Sequence, residues 1–371
     1  MRIGIDARLI NQTGVGRYIR NLIWQLEILD KKNEYFIYLK KEDFKNFAPK
    51  NKRWFKRLLD IPWHSISEQI ISPLVLTKDR LNVVHFPYFN VPIFYPYKYL
   101  LTIHDLIVDH FDTGRASTLN PYLYKIKRLA YRIAITRGIY RASHITAISK
   151  TTADELFDHY KVDPNRVSVT YDGLDLNFIH VLESQKPVNL INTPYILYVG
   201  NAYPHKNLER LVTAFSIVSK KKKVKLVLAG DDSYFFPRLK DYMRKIDSHQ
   251  EIVFFGSATD SDLVNLYTYA KCLVIPSLME GFGLPNLEAL ACGCLPVVSD
   301  IPVFHEIWGN LLNYFNPLGV EDMASKILDT ISLPISVYRD KVTKAKARIR
   351  DFSWESTTLT TLELYEKIGR S

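Results

Sequence analysis

Residues 272–299 read CLVIPSLMEGFGLPNLEALACGCLPVVS, and this stretch decides the class of fold. An apolar strand ends at Pro276, and a loop that contains Gly281 and Gly283 follows it. Pro285 suits the first turn of a helix, because its missing N–H would be unpaired there in any case. A second apolar strand follows the helix. Strand, glycine loop, helix and strand in this order predict a βαβ unit of a parallel sheet.

The same alternation of short apolar strands and helices continues in both directions along the chain. Two βα repeats stand in series, and an irregular stretch with Asn and Pro at residues 176–194 is predicted to link them. We expect a first domain over residues 1–185, a second over residues 186–354, and an amphipathic helix over residues 355–371 that packs back on the first domain. The predicted fold class is therefore α/β, with two Rossmann-like domains. Predicted strands include Ile3–Ala7, Tyr35–Leu39, Val83–Phe86, Leu100–His104, His144–Ile148, Val167–Tyr171, Tyr195–Val199, Val224–Ala229, Ile252–Phe255, Cys272–Pro276 and Leu295–Ser299.

Length and composition fit two globular domains. The chain has 371 residues, of which 47% are hydrophobic and 24% charged. It begins with a short strand pattern instead of an apolar leader, and no apolar run reaches the roughly 18–20 residues of a membrane span. The three cysteines match no zinc spacing and are expected to be core residues in a reducing compartment. These features predict a cytoplasmic protein.

The net charge of +10 is unevenly distributed. Residues 1–185 carry 27 Lys and Arg against 19 Asp and Glu, a balance of +8, and the remainder carry 22 against 20, a balance of +2. A basic first half predicts an anionic partner such as a phosphate, a nucleic acid or an anionic membrane face. A solvated basic surface is the alternative.

Two glutamates in the opening stretch are candidates for binding hydroxyl groups. Glu280 lies at the carboxyl end of a strand, where ligands bind in open α/β sheets. The glycines allow backbone N–H groups to approach a ligand, and the helix N-terminus favours an anion. A carboxylate accepts hydrogen bonds from two neighbouring hydroxyls of a sugar, which suits Glu280 and Glu288. The alternative for either glutamate alone is an acidic residue favoured near a helix start.

Glu280 and Glu288, with seven residues between them, resemble the E-x7-E motif of the GT4-type family of GT-B glycosyltransferases. The text EGFGLPNLEALACG is similar to that family throughout. The resemblance implies that Glu280 contacts the transferred sugar, that Glu288 holds the ribose, and that the loop between them binds sugar and phosphate. It also implies the GT-B fold, with two domains that face each other across a cleft containing the active site. The loop residues are Gly281, Phe282, Gly283 and Leu284.

A glycine turn, TGVGRY at residues 13–18, follows the first strand. Gly14 and Gly16 would allow a helix N-terminus to face an anion. An ordinary βα turn is the alternative, because a lone Gly-x-Gly is a weak signal. The resemblance implies that this loop approaches the donor diphosphate and the acceptor.

A second strand end, YVGNAYPHKNL at residues 198–208, places Gly200 and Lys206 before a helix. A lysine there can meet a diphosphate. The similar family often has Arg directly after this glycine, whereas this chain has Asn201. His205 and Arg210 are the alternatives for the missing cation.

The sequence LTIHD at residues 101–105 ends an apolar strand in His104 and Asp105. This pair suits a histidine oriented by a carboxylate, and the resemblance places the histidine near the sugar. A helix-capping Asp beside a structural His is the alternative. A further match, YDGLD at residues 171–175, departs from the family's usual Asn-Gly-Val/Ile-Asp in having Asp172 and Leu174.

Metal binding has one candidate, Asp260 and Asp262 with the Asp-x-Asp spacing of metal-dependent glycosyltransferases. They precede an apolar helical pattern, so a helix cap is favoured. The predicted site contains no metal, and the nucleotide-sugar is a substrate and not a cofactor. Cationic side chains and helix dipoles would neutralise the leaving diphosphate instead.

Two basic stretches with interspersed aromatic residues, 45–63 and 125–141, lie in the first half. They suit peripheral contact with an anionic membrane, with a solvated helix face as the alternative. No nucleic-acid recognition module is visible.

The predicted activity is retaining transfer of a hexose from a nucleoside diphosphate to a hydroxyl of a glycan or lipid-linked acceptor in polysaccharide biosynthesis. The stretch NAYPHKN is similar to bacterial mannosyltransferases that use GDP-mannose, and UDP-glucose, UDP-N-acetylglucosamine and dTDP-rhamnose are alternative donors. Alternatives of another class are a nucleotide-sugar epimerase and a non-catalytic sugar-binding module. A dinucleotide-dependent oxidoreductase is disfavoured, because the first turn lacks Gly-x-Gly-x-x-Gly.

Overall fold

The computed structural model describes residues 1–370 except residues 64, 112–120 and 246–250, and it leaves out the side chains of residues 13, 121–128, 130 and 131. The chain divides into two compact units. The first unit comprises Met1–Leu106, Ser117–Asp172 and Ser353–Ser371, and the second comprises Ile107–Ala116 and Gly173–Phe352.

The first unit is built on a parallel sheet of seven strands in the order β3-β2-β1-β4-β5-β6-β7. The central strands are short apolar runs that are buried along their whole length, which is the pattern of a sheet covered by helices on both faces. The strands are β1 (Arg2–Asp6), β2 (Glu34–Leu39), β3 (Trp54–Leu58), β4 (Val83–Phe86), β5 (Tyr99–Ile103), β6 (His144–Ala147) and β7 (Val167–Val169).

The second unit repeats this plan with six parallel strands in the order β10-β9-β8-β11-β12-β13. Two Rossmann-like parallel sheets in series confirm the predicted fold class. The strands are β8 (Tyr195–Val199), β9 (Lys225–Ala229), β10 (Ile252–Gly256), β11 (Leu273–Ile275), β12 (Pro296–Ser299) and β13 (Asn313–Phe315).

Helices connect the strands. Those up to the end of the first sheet are α1 (Thr13–Leu29), α2 (Lys41–Phe44), α3 (Ile66–Lys78), α4 (Ile107–His110), α5 (Pro121–Arg141) and α6 (Lys150–Tyr160). Those that follow are α7 (Leu176–Ser184), α8 (Leu208–Lys221), α9 (Phe235–Lys245), α10 (Asp260–Tyr269), α11 (Leu284–Ala291), α12 (Pro302–Trp308), α13 (Val320–Ile331), α14 (Ile335–Arg348) and α15 (Trp354–Arg370).

Each sheet reverses its winding direction once, between β1 and β4 in the first and between β8 and β11 in the second. Loops at the carboxyl ends of strands beside such a reversal form a crevice that binds ligands in this class of fold. The glycine turn at residues 13–18 comes after β1. The stretch 198–208 spans the end of β8, and Glu280 comes after β11, so these two predicted sites lie on the two sides of one reversal.

The last helix, α15, packs against α1, β4 and β5 of the first unit, which confirms the predicted terminal helix. Its buried face carries Trp354, Thr361 and Tyr365. The Tyr365 hydroxyl lies 2.6 Å from Nδ1 of His85, a fully buried histidine in β4. Burial lowers the pKa of His85 to about 3, so this contact joins two neutral groups.

Two stretches differ from their predicted character. Part of the predicted linker, Leu176–Ser184, is helix α7, whose N-terminus is capped by Asp175 through the backbone N–H groups of Asn177 and Phe178. The basic stretch 45–63 contains the edge strand β3. The helical alternative for that stretch is therefore wrong, because Trp54–Leu58 pairs in parallel with β2 and buries Trp54.

Candidate functional site

Glu280 is the centre of a compact charge cluster in the loop after β11. Its Oε1 accepts hydrogen bonds from Lys206 Nζ at 2.7 Å and from Ser277 Oγ at 2.6 Å. The Lys206 and Glu280 side chains are 18% and 12% exposed. Two residues predicted separately, from motifs 74 positions apart, are therefore in direct contact. The pair is thus largely shielded but retains some exposure to solvent.

The surroundings of Glu280 keep it ionised. Burial alone would raise its pKa, but the Lys206 ammonium, the Ser277 hydroxyl and the nearby His205 together hold the pKa of Glu280 below its usual range. An ionised carboxylate only accepts hydrogen bonds, and Oε1 already accepts two. The arrangement suits a group that receives hydroxyl hydrogens from a ligand, and it does not suit a general acid.

Lys206 is positioned by a short 3-10 turn, Pro204–Lys206, that is tied to the β11 loop. The following Asn207 adopts a left-handed conformation with φ of 60°, and its Nδ2 donates to the carbonyls of Pro276 at 2.9 Å and Pro317 at 2.7 Å. The backbone N–H of Leu278 donates to the His205 carbonyl at 2.7 Å. These bonds fix the loops after β8 and β11 to each other, and so hold Lys206 beside Glu280.

Two side chains in or near the turn, His205 and Arg210, are the alternatives for the arginine that Asn201 replaces. Burial, with Lys206 beside it, lowers the pKa of His205 to about 4, so its ring is neutral near pH 7. Arg210 donates from Nη1 to Asn207 Oδ1 at 2.8 Å and contributes its charge to the same turn. Of the two alternatives, Arg210 is the one that carries a charge near pH 7, and its role at a diphosphate stays a prediction.

Gly283, in the loop before α11, is required for steric reasons. Gly283 is the N-cap of α11 with φ of +93°, and a Cβ there would lie 2.7 Å from Cε1 of Phe304. Phe282 is buried and packs edge-on against Phe352 at a centroid distance of 5.4 Å. Asn286, in the first turn of α11, is fully buried, and neither of its side-chain polar atoms has a partner among the described residues. The loop thus brings backbone and amide groups to a helix N-terminus, which attracts anions.

Gly200 and its neighbour Gly230 form a second close backbone approach, at the ends of β8 and β9. Gly200 has φ of +147°, and a Cβ on Gly230 would lie 1.9 Å from the Gly200 carbonyl oxygen. Next to them, the Tyr198 hydroxyl donates to the Asn201 carbonyl at 2.5 Å. Asn201 therefore belongs to a tightly fixed turn at the strand end.

Glu288 differs from Glu280 in its surroundings. It lies within α11, is 3% exposed, and its Oε2 accepts a hydrogen bond from the Tyr267 hydroxyl at 2.9 Å. The structure thus places Glu288 deeper than Glu280. Its assignment to the ribose stays a prediction.

In the first unit, the two predicted loop glycines have different surroundings. A Cβ on Gly16 would lie 2.5 Å from the carbonyl oxygen of Ile10, so a side chain there clashes with backbone. A Cβ on Gly14 would meet no atom within 4 Å. Gly16 is therefore required by the turn itself, while the space around Gly14 is open to a ligand.

His104 is held as a neutral ring at the end of β5. Its Nε2 lies 2.8 Å from the Pro87 carbonyl, which only accepts, so Nε2 carries the proton and Nδ1 is left as an acceptor. Burial lowers the pKa of His104 to about 4, although the hydrogen bond to the Pro87 carbonyl by itself raises that pKa. Tyr18 packs edge-on against the ring at a centroid distance of 5.0 Å. The Pro87 carbonyl thus fixes the orientation of the ring, and the role of Asp105 beside it stays a prediction.

A buried ionic cluster next to the β1 end was not predicted from the sequence. Arg8 donates from Nε to Asp6 at 2.8 Å and from Nη2 to Asp6 at 2.6 Å, and the same Nη2 lies 2.8 Å from Glu68. Burial lowers the pKa of Arg8, but the two carboxylates outweigh it and raise that pKa. Asn90 Nδ2 also donates to Glu68 at 2.6 Å. The cluster ties the segment after β1 to α3.

Other contributors were also missed by sequence reasoning. Ser277, Tyr267 and Asn207 each bond to a predicted residue or its loop. Ser277 and Asn207 lie inside the quoted motifs, so their short spacing from Glu280 and Lys206 could have indicated that they belong to the site. Tyr267 lies in α10, on an ordinary helical pattern, and carries no such signal.

The Asp-x-Asp candidate is a helix cap. Thr259 is the N-cap of α10, its side chain accepts from the Asp262 backbone N–H, and the Asp262 carboxylate accepts from the Thr259 backbone N–H at 3.0 Å. Asp260 accepts from Asn177 Nδ2 at 2.6 Å. Within the described part of the chain, no group of three or more His, Cys, Asp or Glu side chains could hold a metal ion.

Among the helices of the described residues, none is both long enough and apolar enough to cross a bilayer.

Comparison with known proteins gives two family matches in series. Residues 13–178 match Glycosyltransferase Family 4, and residues 182–348 match the glycosyl transferases group 1. The chain is 26% identical over 76% of its length to the O-antigen chain mannosyltransferase RfbU of Salmonella typhimurium, covering 74% of that protein. It is 28% identical over 62% of its length to the serotype-specific mannosyltransferase WbdA of Escherichia coli, but spans only 29% of that protein.

Solved structures agree on the fold. The crystal structure of Anabaena HepE in complex with UDP and glucose superimposes with a TM-score of 0.75 at 15% identity, covering 99% of this chain and 100% of HepE. Both halves of the sequence thus match one kind of enzyme, on the pair of parallel sheets described above. The chain belongs to the group 1, family 4 glycosyltransferases.

Proposed function

We propose that this glycosyltransferase moves a mannosyl residue from GDP-mannose to a hydroxyl of a glycan or lipid-linked acceptor in polysaccharide synthesis, with retention at the anomeric carbon. The observation that carries the proposal is the Lys206–Glu280 pair at the switch point between β8 and β11. It supplies an acceptor for sugar hydroxyls and a cation for phosphate within 2.7 Å of each other. Mannose is favoured because the relatives RfbU and WbdA are mannosyltransferases.

In this proposal Glu280 accepts hydrogen bonds from hydroxyls of the transferred sugar, and Lys206 stabilises the leaving diphosphate. The loop Gly281–Leu284 and the start of α11 add backbone N–H groups and a favourable dipole for the phosphates. Glu288 holds the ribose, with Tyr267 fixing its second oxygen. Gly14 leaves space for a ligand group in the first unit, and His104 offers a neutral Nδ1 as an acceptor to a sugar hydroxyl.

The chemical step breaks the bond between the anomeric carbon and the diphosphate oxygen and forms a bond from that carbon to the acceptor oxygen on the same face. The acceptor proton passes to the departing phosphate oxygen. The diphosphate leaves with the electron pair of the broken bond, and the ammonium of Lys206 and the charge of Arg210 stabilise it. No metal takes part in the proposed step, and the family generally works without one.

A donor screen tests this function. Thermal shift and turnover are measured with GDP-mannose, UDP-glucose, UDP-N-acetylglucosamine and dTDP-rhamnose. A donor at 100 times its Kd stabilises the native state by about 2.7 kcal/mol, and GDP-mannose is expected to give the largest shift and the fastest transfer.

Each other outcome points to a defined alternative. A larger thermal shift with a UDP- or dTDP-sugar would identify that sugar nucleotide, instead of GDP-mannose, as the donor. Conversion of the donor without any acceptor, to an epimer and free nucleotide, would favour an epimerase. Binding without turnover on any acceptor would indicate a sugar-binding module, and no binding at all would refute the donor site.

A further inference from the structure

One face of the first unit carries an exposed apolar stripe that the proposed function does not use. Helix α3 exposes Ile66, Ile70 and Leu74 at successive four-residue intervals, with exposed fractions of 82%, 56% and 60%, and Ile71 lies beside them. Lys78, at the end of the helix, follows Leu74 at the same four-residue interval and is also exposed. Apolar residues four apart share one side of a helix. This side of α3 is therefore turned toward solvent, while Leu76 on its other side is in the core.

Neighbouring elements extend the stripe into a larger surface. The backbone N–H of Ile93 donates to Gln69 of α3 at 2.6 Å, and its carbonyl accepts from Arg137 of α5 at 3.4 Å. The segment around Ile93 therefore bridges α3 and α5. This segment exposes Phe94, and α5 exposes further large side chains. We call the whole set the α3–α5 face: Ile66, Ile70, Ile71, Leu74, Phe94, Tyr97, Leu129, Ile133 and Tyr140.

The two sequence ranges that contribute to this face, residues 61–104 and 113–153, are together strongly biased toward basic residues. Residues 61–104 contain only two acidic residues, Glu68 and Asp79, and both are buried. Residues 113–153 contain none, whereas α5 carries six Lys and Arg. Among the described side chains of α5, Arg132 and Arg137 are exposed next to Ile133. Among the described residues of these two ranges, exposed cations thus accompany the large apolar side chains, and no carboxylate is exposed.

We infer that the α3–α5 face docks on the surface of an anionic lipid bilayer. Apolar side chains of this size, with cations beside them, suit a membrane interface. The apolar side chains would enter the boundary of the acyl chains, and the cations would meet the anionic headgroups. A second copy of the chain is a poor occupant, because two such faces would bring cations against cations. The predicted basic stretch 45–63 contributes less, because Lys56 and Arg57 in it bond to Phe44, Phe47 and Asp79 within the unit.

Vesicle co-sedimentation with the full chain tests the inference. The probes are vesicles of phosphatidylcholine alone and vesicles in which part of it is replaced by phosphatidylglycerol. The wild type is expected to bind the anionic vesicles and to lose that binding as salt is raised. Ile70→Ser with Leu74→Ser should reduce the partition coefficient by about tenfold or more, because apolar area buried in the interface sets the affinity.

Matched variants keep the test specific. Leu318→Ser with Ile335→Ser removes side chains that are 62% and 66% exposed in the second unit, and should leave vesicle binding unchanged. Arg132→Glu should weaken binding to anionic vesicles, whereas Arg339→Glu on α14, which is also exposed, should not. All four positions are exposed, so unchanged melting temperatures are expected.

Three results would overturn the inference. The first is binding to anionic vesicles no stronger than to neutral ones. The second is an equal loss for both pairs of serine variants. The third is a concentration-dependent dimer that the Ile70→Ser and Leu74→Ser variant abolishes in the absence of vesicle binding. None of these readouts involves the donor, so this inference and the proposed mannosyl transfer can fail independently.

Discussion

The two sheets each carry a charge cluster at their carboxyl edge, and the two clusters are built in opposite ways. In the first unit the Arg8 side chain is 1% exposed and pairs with Asp6 and Glu68. In the second, Lys206 and Glu280 are 18% and 12% exposed and form a single pair. A buried ion that loses its partner is costly, whereas a partly exposed pair can exchange one partner for a ligand. We therefore expect the first cluster to maintain the fold and the second to bind substrate.

Removing the buried guanidinium should give the largest effect on stability. Arg8→Met leaves Asp6 and Glu68 buried without their cation, and should lower the free energy of unfolding by about 3–5 kcal/mol. Chemical denaturation measures this. Arg244→Met, which removes a 73% exposed cation paired with Asp241, is the control and should change stability by less than about 1 kcal/mol. A small effect of Arg8→Met would erase the contrast between the clusters.

Glu280→Ala should break function without unfolding the chain. We expect transfer to fall by about 10²–10³-fold, as for loss of one preorganised polar group in an active site. Initial rates with the best donor, together with thermal melts, measure this. Glu280→Gln should retain part of the activity, because one carbonyl oxygen still accepts. Glu209→Ala, an exposed acidic residue at the start of α8, is the control. Normal rates in Glu280→Ala would remove the site assignment.

Lys206→Met tests whether Lys206 acts on the ligand or only on Glu280. A charge-assisted hydrogen bond to phosphate contributes about 1.5–3 kcal/mol, so donor affinity should fall by roughly 10–100-fold. Isothermal titration with the nucleoside diphosphate alone measures this. In the double variant with Glu280→Ala, the loss of Lys206 should still reduce the affinity for the diphosphate, although the two losses are not expected to add, because the side chains are in direct contact. An undiminished affinity for the diphosphate would restrict Lys206 to positioning Glu280.

A fall in pH should lower the stability of both units through a buried histidine in each, His104 in the first and His205 in the second. The pKa of His104 and of His205 is lowered from 6.5 to about 4 by burial. The unfolded chain therefore binds more protons between these values, and stability present above pH 6.5 is lost as the pH falls toward 4. Urea denaturation at pH 7, 5.5 and 4.5 should show a progressive decrease. His205→Gln should reduce that decrease, and an identical slope in this variant would contradict the assignment.

The smallest effect is expected from Ser277→Ala. It removes one of two hydrogen bonds to Oε1 of Glu280, which is worth about 0.5–1.5 kcal/mol. We expect transfer to fall by no more than about tenfold, with an unchanged melting temperature. A loss as large as that of Glu280→Ala would show that Ser277 itself contacts the substrate.

The fold could be predicted from the sequence because its central strands are buried on both faces. Val83–Phe86 and Tyr195–Val199 are short, mainly apolar runs, and the structure has them at these bounds. Prediction was weaker at the sheet edges. There β3 and β13 are half-covered, so their side chains do not form continuous apolar runs.

The candidate site was predictable only where its residues share a motif. Glu280, Glu288 and Lys206 could be named from local text, and so could the positions of their loops. The contact between Lys206 and Glu280 depends on the strand order, which brings β8 beside β11. The spacing of residues along the chain does not reveal that order. The Arg8 cluster was missed for the same reason, because Glu68 lies 60 residues away in α3.

The terminal helix constrains the order in which the polypeptide can mature on the ribosome. Residues 354–370 complete the core of the first unit, where Tyr365 meets His85, although 180 residues of the second unit are synthesised before them. The second unit is continuous over that stretch and can fold while it emerges. The earlier half must meanwhile remain incomplete, with the surface of α1, β4 and β5 uncovered. We therefore expect a nascent chain stopped before residue 354 to depend on chaperones, even though its first half was translated first.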